Sequence, residues 1–260
     1  MTSLMTHTKC AIYRSGNIAM THFAKLQQVD IREKSRYERV TTVDRTIHRF
    51  LKHELPKIFP APVLSEENST HWKPCSSYWV VDPIDGTTNY ITRIPFFCVG
   101  VGLVINNSIV LNAVYNPILR ELFSAEKNKG AFLNGKKLRP DHKLPLSKSI
   151  IGVSYSHSQQ SIQRAGRIGL RLRKTVHNTR HSGSTLLTFA YVAAGRLEGS
   201  IVMGPITPWD SIPALLLIEE IHGCITDFSG KPYKLGHTQN IIATNGANHV
   251  RLQKIVSSTR

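Results

Sequence analysis

Apolar and polar positions alternate along this chain in two rhythms. After Thr41-Thr42-Val43-Asp44, the residues Ile47, Phe50, Leu51 and Leu55 recur at i, i+3, i+4 and i+8, the stripe of an amphipathic helix that Pro56 is expected to close. A weaker helical pattern covers 12–26. From Val63 onward, short apolar runs bounded by turn residues predict strands: Val63-Leu64, then 78–81, 96–105, 109–115, 121–125 and 130–138, the third of these broken by Gly100 and Gly102. Asn106-Asn107 and Asn116-Pro117 read as tight turns, so these strands are expected to form an antiparallel sheet. Beyond residue 147 the rhythm changes. A strand over 150–155 leads to a basic helix over 159–174, an apolar helix over 186–194 ended by Gly195, and a strand over 201–203. A second apolar helix over 212–221 carries Pro213 in its first turn, where proline is tolerated, and a strand over 241–244 follows. The polar stretch 141–147 separates the two rhythms. It predicts an N-terminal α+β half, 1–142, and a C-terminal α/β half of alternating helix and strand, 143–260.

Composition bounds this picture. With 260 residues, 29.1 kDa and 41% hydrophobic content, the chain suffices for one large domain or two tightly joined ones. No apolar run reaches the roughly 18 residues of a membrane span, and residues 1–9 lack the apolar core of a secretory leader. Cys10, Cys75, Cys98 and Cys224 are scattered, which reads as reduced thiols in a cytoplasmic protein. The net charge of +16 attracts anions, from small phosphates to nucleic acid. No Asp or Glu stands between Lys143 and Leu197, where Arg164, Arg167, Arg171, Arg173, Lys174 and Arg180 form the densest basic run. That run has no interleaved aromatics and no RNA-binding motif, so its plain reading is a cationic surface.

The rare acids carry the chemistry. In Trp79-Val-Val-Asp82-Pro-Ile-Asp85-Gly86-Thr87-Thr88-Asn89, two carboxylates three residues apart follow a buried strand. Carboxylate oxygens suit hard divalent cations, and the small residues after them can open a helix whose free N–H groups favour phosphate. Glu66-Glu67 after Val63-Leu64, Asp210 at a helix start and Asp44 at another stand in comparable settings. Each has a plainer explanation: Asp44 or Asp210 as a helix cap, Glu66-Glu67 as a solvated pair, Asp85-Gly86 as a turn. No His/Cys cluster offers a zinc site; His177, His181 and His222 read as surface or packing residues, and Cys98 lacks a partner base.

Taken in order, these segments resemble the inositol monophosphatase family of metal-dependent, lithium-sensitive phosphatases. Asp82-Pro83-Ile84-Asp85-Gly86-Thr87-Thr88-Asn89 is similar to its central motif, Glu66-Glu67 to its upstream pair, Val40-Thr41-Thr42-Val43-Asp44 to its Val-Thr-x-x-Asp segment, and Trp209-Asp210 to its late Trp-Asp. Asn116-Pro117-Ile118 and Gly130-Ala131-Phe132-Leu133-Asn134-Gly135 also resemble family stretches. The resemblance implies a layered αβαβα sandwich with the site between its halves, and inositol-1-monophosphatase-like hydrolysis of a small phosphate monoester with two or three Mg²⁺ ions. Glu66, Asp82 and the Ile84 carbonyl would hold one ion, Asp82, Asp85 and Asp210 a second, and Asp44 would place a third through water. Thr87 with Glu66 would orient the attacking water. Asp85, Gly86, Thr87, Ser184, Thr185 and Asp210 would face the substrate. A homodimer is also implied.

The chain departs from the family on the leaving-group side. Family members that prefer inositol phosphates carry a Glu upstream of the Trp-Asp; here Ile201-Val202-Met203-Gly204-Pro205 fills that region, and the nearest acid is Glu198. Ile212 and Ile221 are bulkier than the alanines usual there. Pro208-Trp209-Asp210 with Thr226-Asp227-Phe228-Ser229-Gly230 is similar to the histidinol-phosphate phosphatase branch, whereas Gly183-Ser184-Thr185 is similar to the inositol branch. Histidinol phosphate, a bisphosphorylated sugar or nucleotide, and a regulator binding nucleic acid or protein through the basic surface remain alternatives.

Overall fold

The computed structural model describes residues 3–25, 31–33, 39–71, 75–140, 144–156, 158–235 and 240–259. Along the first half run α1 (Leu4–Phe23), β1 (Ile31–Glu33), β2 (Arg39–Thr41), α2 (Thr42–Ile58), β3 (Val63–Ser65), β4 (Ser77–Asp85), α3 (Thr87–Ile91), β5 (Cys98–Ile105), β6 (Ser108–Asn116), β7 (Glu121–Glu126), β8 (Gly130–Leu133) and β9 (Lys136–Lys137). The second half follows with β10 (Ile150–Tyr155), α4 (Gln159–Arg173), β11 (Asn178–Arg180), α5 (Thr185–Ala193), β12 (Gly199–Met203), α6 (Ile212–Glu220), β13 (Cys224–Thr226), β14 (Ile241–Thr244) and α7 (His249–Ser257).

Two sheets organise these elements. Seven strands stand in the order β3-β4-β5-β6-β7-β8-β9, and five in the order β11-β10-β12-β14-β13. α1 and α2 cover the outer face of the larger sheet, packing Ile12, Ile47 and Leu51 on Trp79, Val81 and Val101. α5 and α6 fill the space between the sheets, where Leu186, Phe189, Leu215 and Leu216 meet Val80 and Phe123 of one sheet and Val202 and Ile241 of the other. α4 and α7 close the far side through Ile168, Leu172, Leu252 and Val256. The result is the αβαβα sandwich that the sequence led us to expect, with a middle layer supplied by the second half.

Several elements differ from expectation. α1 begins at Leu4, capped by Ser3, because its apolar residues lie on one buried face from Met5 to Ala19. Pro56 does not end α2; it sits inside the last turn, where a missing N–H costs a single intrahelical bond, and the helix runs to Ile58. The larger sheet is antiparallel except at its edge, where β3 runs parallel to β4. Gly100 and Gly102 do not break β5 but thin it: a Cβ on Gly100 would lie 2.3 Å from Leu186 Cδ1, and one on Gly102 2.9 Å from Ile212 Cγ2. The glycines thus let α5 and α6 settle close onto the sheet. Asn106 and Asn107 do form the hairpin turn, both with positive φ.

Overpacking at that close approach is directly testable. Gly100→Val is expected to lower the unfolding free energy by about 1–3 kcal/mol, whereas Gly166→Ala, in open space on α4, should raise it by roughly 0.5–1 kcal/mol. Urea denaturation of the two variants measures both, and a neutral Gly100→Val would contradict the packing.

Candidate metal and phosphate centre

The strand expected over 78–81 continues through the acids themselves. Asp82 pairs with Gly100 and Asp85 with Cys98, so β4 spends one residue more than β5 between these pairings. In a regular strand, residues three apart point to opposite faces. The extra residue of this bulge reverses the alternation, so Asp82 and Asp85 share the face that Val80 presents to the middle layer, while Ile84 packs with α1 and α2 on the other. Pro83, which has no N–H to give to a ladder, fits the irregularity. Gly86 then turns the chain with φ of 94° into α3. Asn89 fixes that turn to the second half by donating to the carbonyls of Phe96 (2.7 Å) and Ser182 (2.8 Å).

Ligand atoms of Asp82, Asp85 and Asp210 lie within 4.8 Å of one another. Asp85 is buried at the start of α5 and accepts from the N–H groups of Thr185 (3.1 Å) and Leu186 (2.8 Å), the Ser184 hydroxyl, and more weakly the Cys98 thiol. Burial nonetheless raises its pKa, against those hydrogen bonds. Asp82 accepts the Ile84 N–H at 3.1 Å. Burial first, then the charges of Asp85, Asp210, Glu66 and Asp44, push its carboxyl well above the ordinary 3.8. Asp210 is half-buried and takes the Thr207 hydroxyl in the loop before α6, whose cap position falls to Ser211.

Asp44 and Glu66 border this trio. Asp44 is not the cap of α2; Thr41 is, and Asp44 returns the bond by accepting the Thr41 N–H at 2.9 Å, a capping box. Burial lifts Asp44 to about 7, opposed by the Thr41 bonds and aided by Glu66 and Glu67. Glu66 opens a short 3₁₀ turn after β3, held by Ser65, whose hydroxyl bonds His48 Nδ1 at 2.8 Å, and by Asn68, which accepts the Ser65 N–H at 2.8 Å. The Thr87 hydroxyl donates to the Ile84 carbonyl at 3.0 Å. Ser184 and Thr185, expected on the substrate side, direct their hydroxyl and N–H at Asp85. Sequence reasoning missed the supports: Ser65, His48, Asn68 and Thr207. The Thr41/Asp44 spacing and the equal Thr207/Asp210 spacing carried a readable signal.

This donor set fits a hard divalent cation. All three clustered ligands are carboxylate oxygens, two of them buried, and their mutual repulsion is the cost a cation would remove.

The family model described as the inositol monophosphatase family matches residues 2–260. The chain is 32% identical over 242 residues to the fructose-1,6-bisphosphatase/inositol-1-monophosphatase of Thermotoga maritima, covering 93% of this chain and 91% of that protein. It is 32% identical over 253 residues to Nus factor SuhB of Salmonella typhimurium, covering 94% and 92%. The solved structure of the extragenic suppressor protein suhB from Bartonella henselae superposes with a TM-score of 0.91 at 28% identity, over 100% of both chains.

The raised carboxyls predict a stability signature. Because Asp44, Asp82 and Asp85 titrate above their ordinary 3.8 in the folded protein, their protonated forms favour folding. That contribution is complete at acid pH and is lost as pH rises through the folded values, about 7 for Asp44. Millimolar Mg²⁺, set against EDTA, should therefore raise Tm more at pH 8 than at pH 5. Equal shifts in thermal melts at the two pH values would refute the assignment.

Proposed function

We propose, since the chain belongs to the inositol monophosphatase family, that it hydrolyses small phosphate monoesters at the acidic centre with the help of Mg²⁺. The observation that carries this reading is the β4 bulge, which puts Asp82 and Asp85 on one face beside Asp210. Asp82, Asp85 and Asp210 would hold one ion; Glu66, Asp82 and the Ile84 carbonyl a second; Asp44, through water, a third. When bound, such ions polarise phosphate oxygens, acidify a water and stabilise the departing alkoxide. The chain supplies the rest. Asp85, clamped by the start of α5, keeps the two halves in register around the phosphate. The first amides of α3, at Gly86 and Thr87, would meet phosphate oxygens, and Thr87 with Glu66 would orient the attacking water. The reading extends to the cytoplasm, supported by four unpaired cysteines, and, on family grounds, to lithium sensitivity and a homodimer. No helix among the described residues is long and apolar enough to cross a membrane.

The leaving group is read as something other than inositol. Glu198, the acid nearest the expected carboxylate, is buried and accepts the Ile150 N–H at 2.5 Å, so it supports β10. Met203 packs in the outer core with Ile168 and Leu172. Histidinol phosphate or a bisphosphorylated sugar or nucleotide fits a site without that contact. A regulatory role is the second reading, favoured by the charge of +16 and by the similarity to a protein named Nus factor SuhB.

Phosphate release from inositol 1-phosphate, histidinol phosphate, fructose 1,6-bisphosphate and 3′-phosphoadenosine 5′-phosphate, with Mg²⁺ and with or without Li⁺, tests the reading. Asp82→Asn should cut kcat by more than the roughly 100-fold typical of losing a supporting group, while raising Tm in EDTA at pH 8 because one buried charge is gone. Near-normal turnover in that variant would overturn the metal assignment, and preference for inositol 1-phosphate would overturn the leaving-group reading.

A further inference from the structure

A cleft opens on the outer layer of the five-stranded sheet, lined in part by Gly204 and Pro205, the segment that leads on to Asp210. Asp85 and Asp210 lie at the starts of α5 and α6, in the middle layer, whereas α4 and α7 pack on the opposite face of that sheet. Between the first turns of α4 and the end of α7 opens a space of about 580 Å³, lined by Ser158, Arg164, Arg167, Gly204, Asn240 and Ser257 among others. It sits at the carboxyl ends of the parallel strands β10 and β12, where the chain leaves β10 toward β11 on one side and later returns to β12 on the other. Such switch points in parallel sheets leave crevices that take ligands.

The chemistry of the walls selects the ligand. Among the described residues no Asp or Glu lines the cleft. Arg164 is held with its guanidinium 4.7 Å over the Phe228 ring, which fixes its direction. Arg167 stands one turn along the same helix, exposed, and among the described residues no carboxylate lies within ion-pair distance of either arginine. Asn240 Oδ1 accepts the Gly204 N–H at 2.8 Å, which leaves its NH₂ as the donor. Gly204 has φ of 106°, and a Cβ there would lie 2.4 Å from Ser156 Oγ, so glycine keeps this wall open. Two like charges side by side on a helix repel each other, and a planar guanidinium pairs two-pronged with phosphate. We propose that this cleft binds a small phosphate-bearing anion through Arg164 and Arg167, independently of the acidic centre and of any hydrolysis there.

Inorganic pyrophosphate titrated calorimetrically into the full chain in EDTA tests the proposal, since chelation disables the acidic centre. One site is expected, still present in Asp82→Asn. Arg167→Gln, which spares the Arg164–Phe228 stack, should weaken binding about tenfold or more, with Arg164→Gln/Arg167→Gln weaker still. Arg173→Gln, at the far end of α4, should change it less than roughly twofold. Binding that requires Mg²⁺ and disappears in Asp82→Asn would place the anion at the acidic centre and overturn the proposal. Equal losses in Arg167→Gln and Arg173→Gln, or a single-stranded RNA that outcompetes pyrophosphate and depends equally on both arginines, would replace the cleft by a diffuse basic face.

Discussion

Holding like charges together in a dry place is the constraint on which this architecture turns. Asp82 and Asp85 are both buried, and each raises the cost of ionising the other. The chain compensates them unequally. Asp85 collects two backbone N–H groups and a hydroxyl from the beginning of α5, where the helix dipole also favours a negative charge. Asp82 has one N–H, from Ile84, and the charges of four other acids around it. Asp85 is therefore the better compensated of the two, although burial still raises its pKa, and Asp82 has the least support from the protein itself. Instead of dispersing the pair, the bulge in β4 fixes both on one face.

The same bonds join the layers. Asp85 belongs to the larger sheet, but its donors lie about a hundred positions later, in the helix between the sheets. Asn89 makes a parallel link to the Ser182 carbonyl, and Gly100 and Gly102 let α5 and α6 approach closely enough for those bonds to form. Packing and site geometry are thus not separable here. A bulkier residue at Gly100 or Gly102 would crowd Leu186 of α5, whose N–H holds Asp85, or Ile212 of α6.

Much of this was legible in the sequence, and the failures are physically consistent. Strands and helices with strong periodicity, such as β10, α4 and α6, fall within a residue or two of expectation. β1, β2, β11 and β13 are three residues each, too short for a period-two pattern to register, and α7 carries only Leu252, Val256 and His249 on its buried face. Pro56 misled because a proline need not end a helix: α2 carries it in the last turn and runs two residues further, to Ile58. The acids themselves were readable because oxygen ligands are scarce in so basic a chain. Their common orientation was not: strict alternation puts Asp82 and Asp85 on opposite faces, and only the register of β4 against β5 shows the extra residue. The contributions of Ser184 and Ser65 depend on tertiary contacts and leave no local mark.

The distribution of charge resolves what otherwise looks like a contradiction. A phosphate ester, the proposed substrate, is an anion, and the proposed centre is lined by Asp44, Glu66, Asp85 and Asp210, four acids whose fields add at Asp82. Without cations that cluster repels its own substrate. The remainder of the chain is so basic that the total is still +16, and its densest basic run, Arg164 to Arg173, lies along α4 on the outer layer. At long range an approaching phosphate meets a positive field, which concentrates it at the surface. At short range its fate depends on whether the acids are neutralised. Under the proposed function, cation occupancy would control entry as well as chemistry, and the two ranges separate experimentally: salt screens the outer field over about 10 Å at 0.1 M and leaves the buried carboxylates largely unscreened.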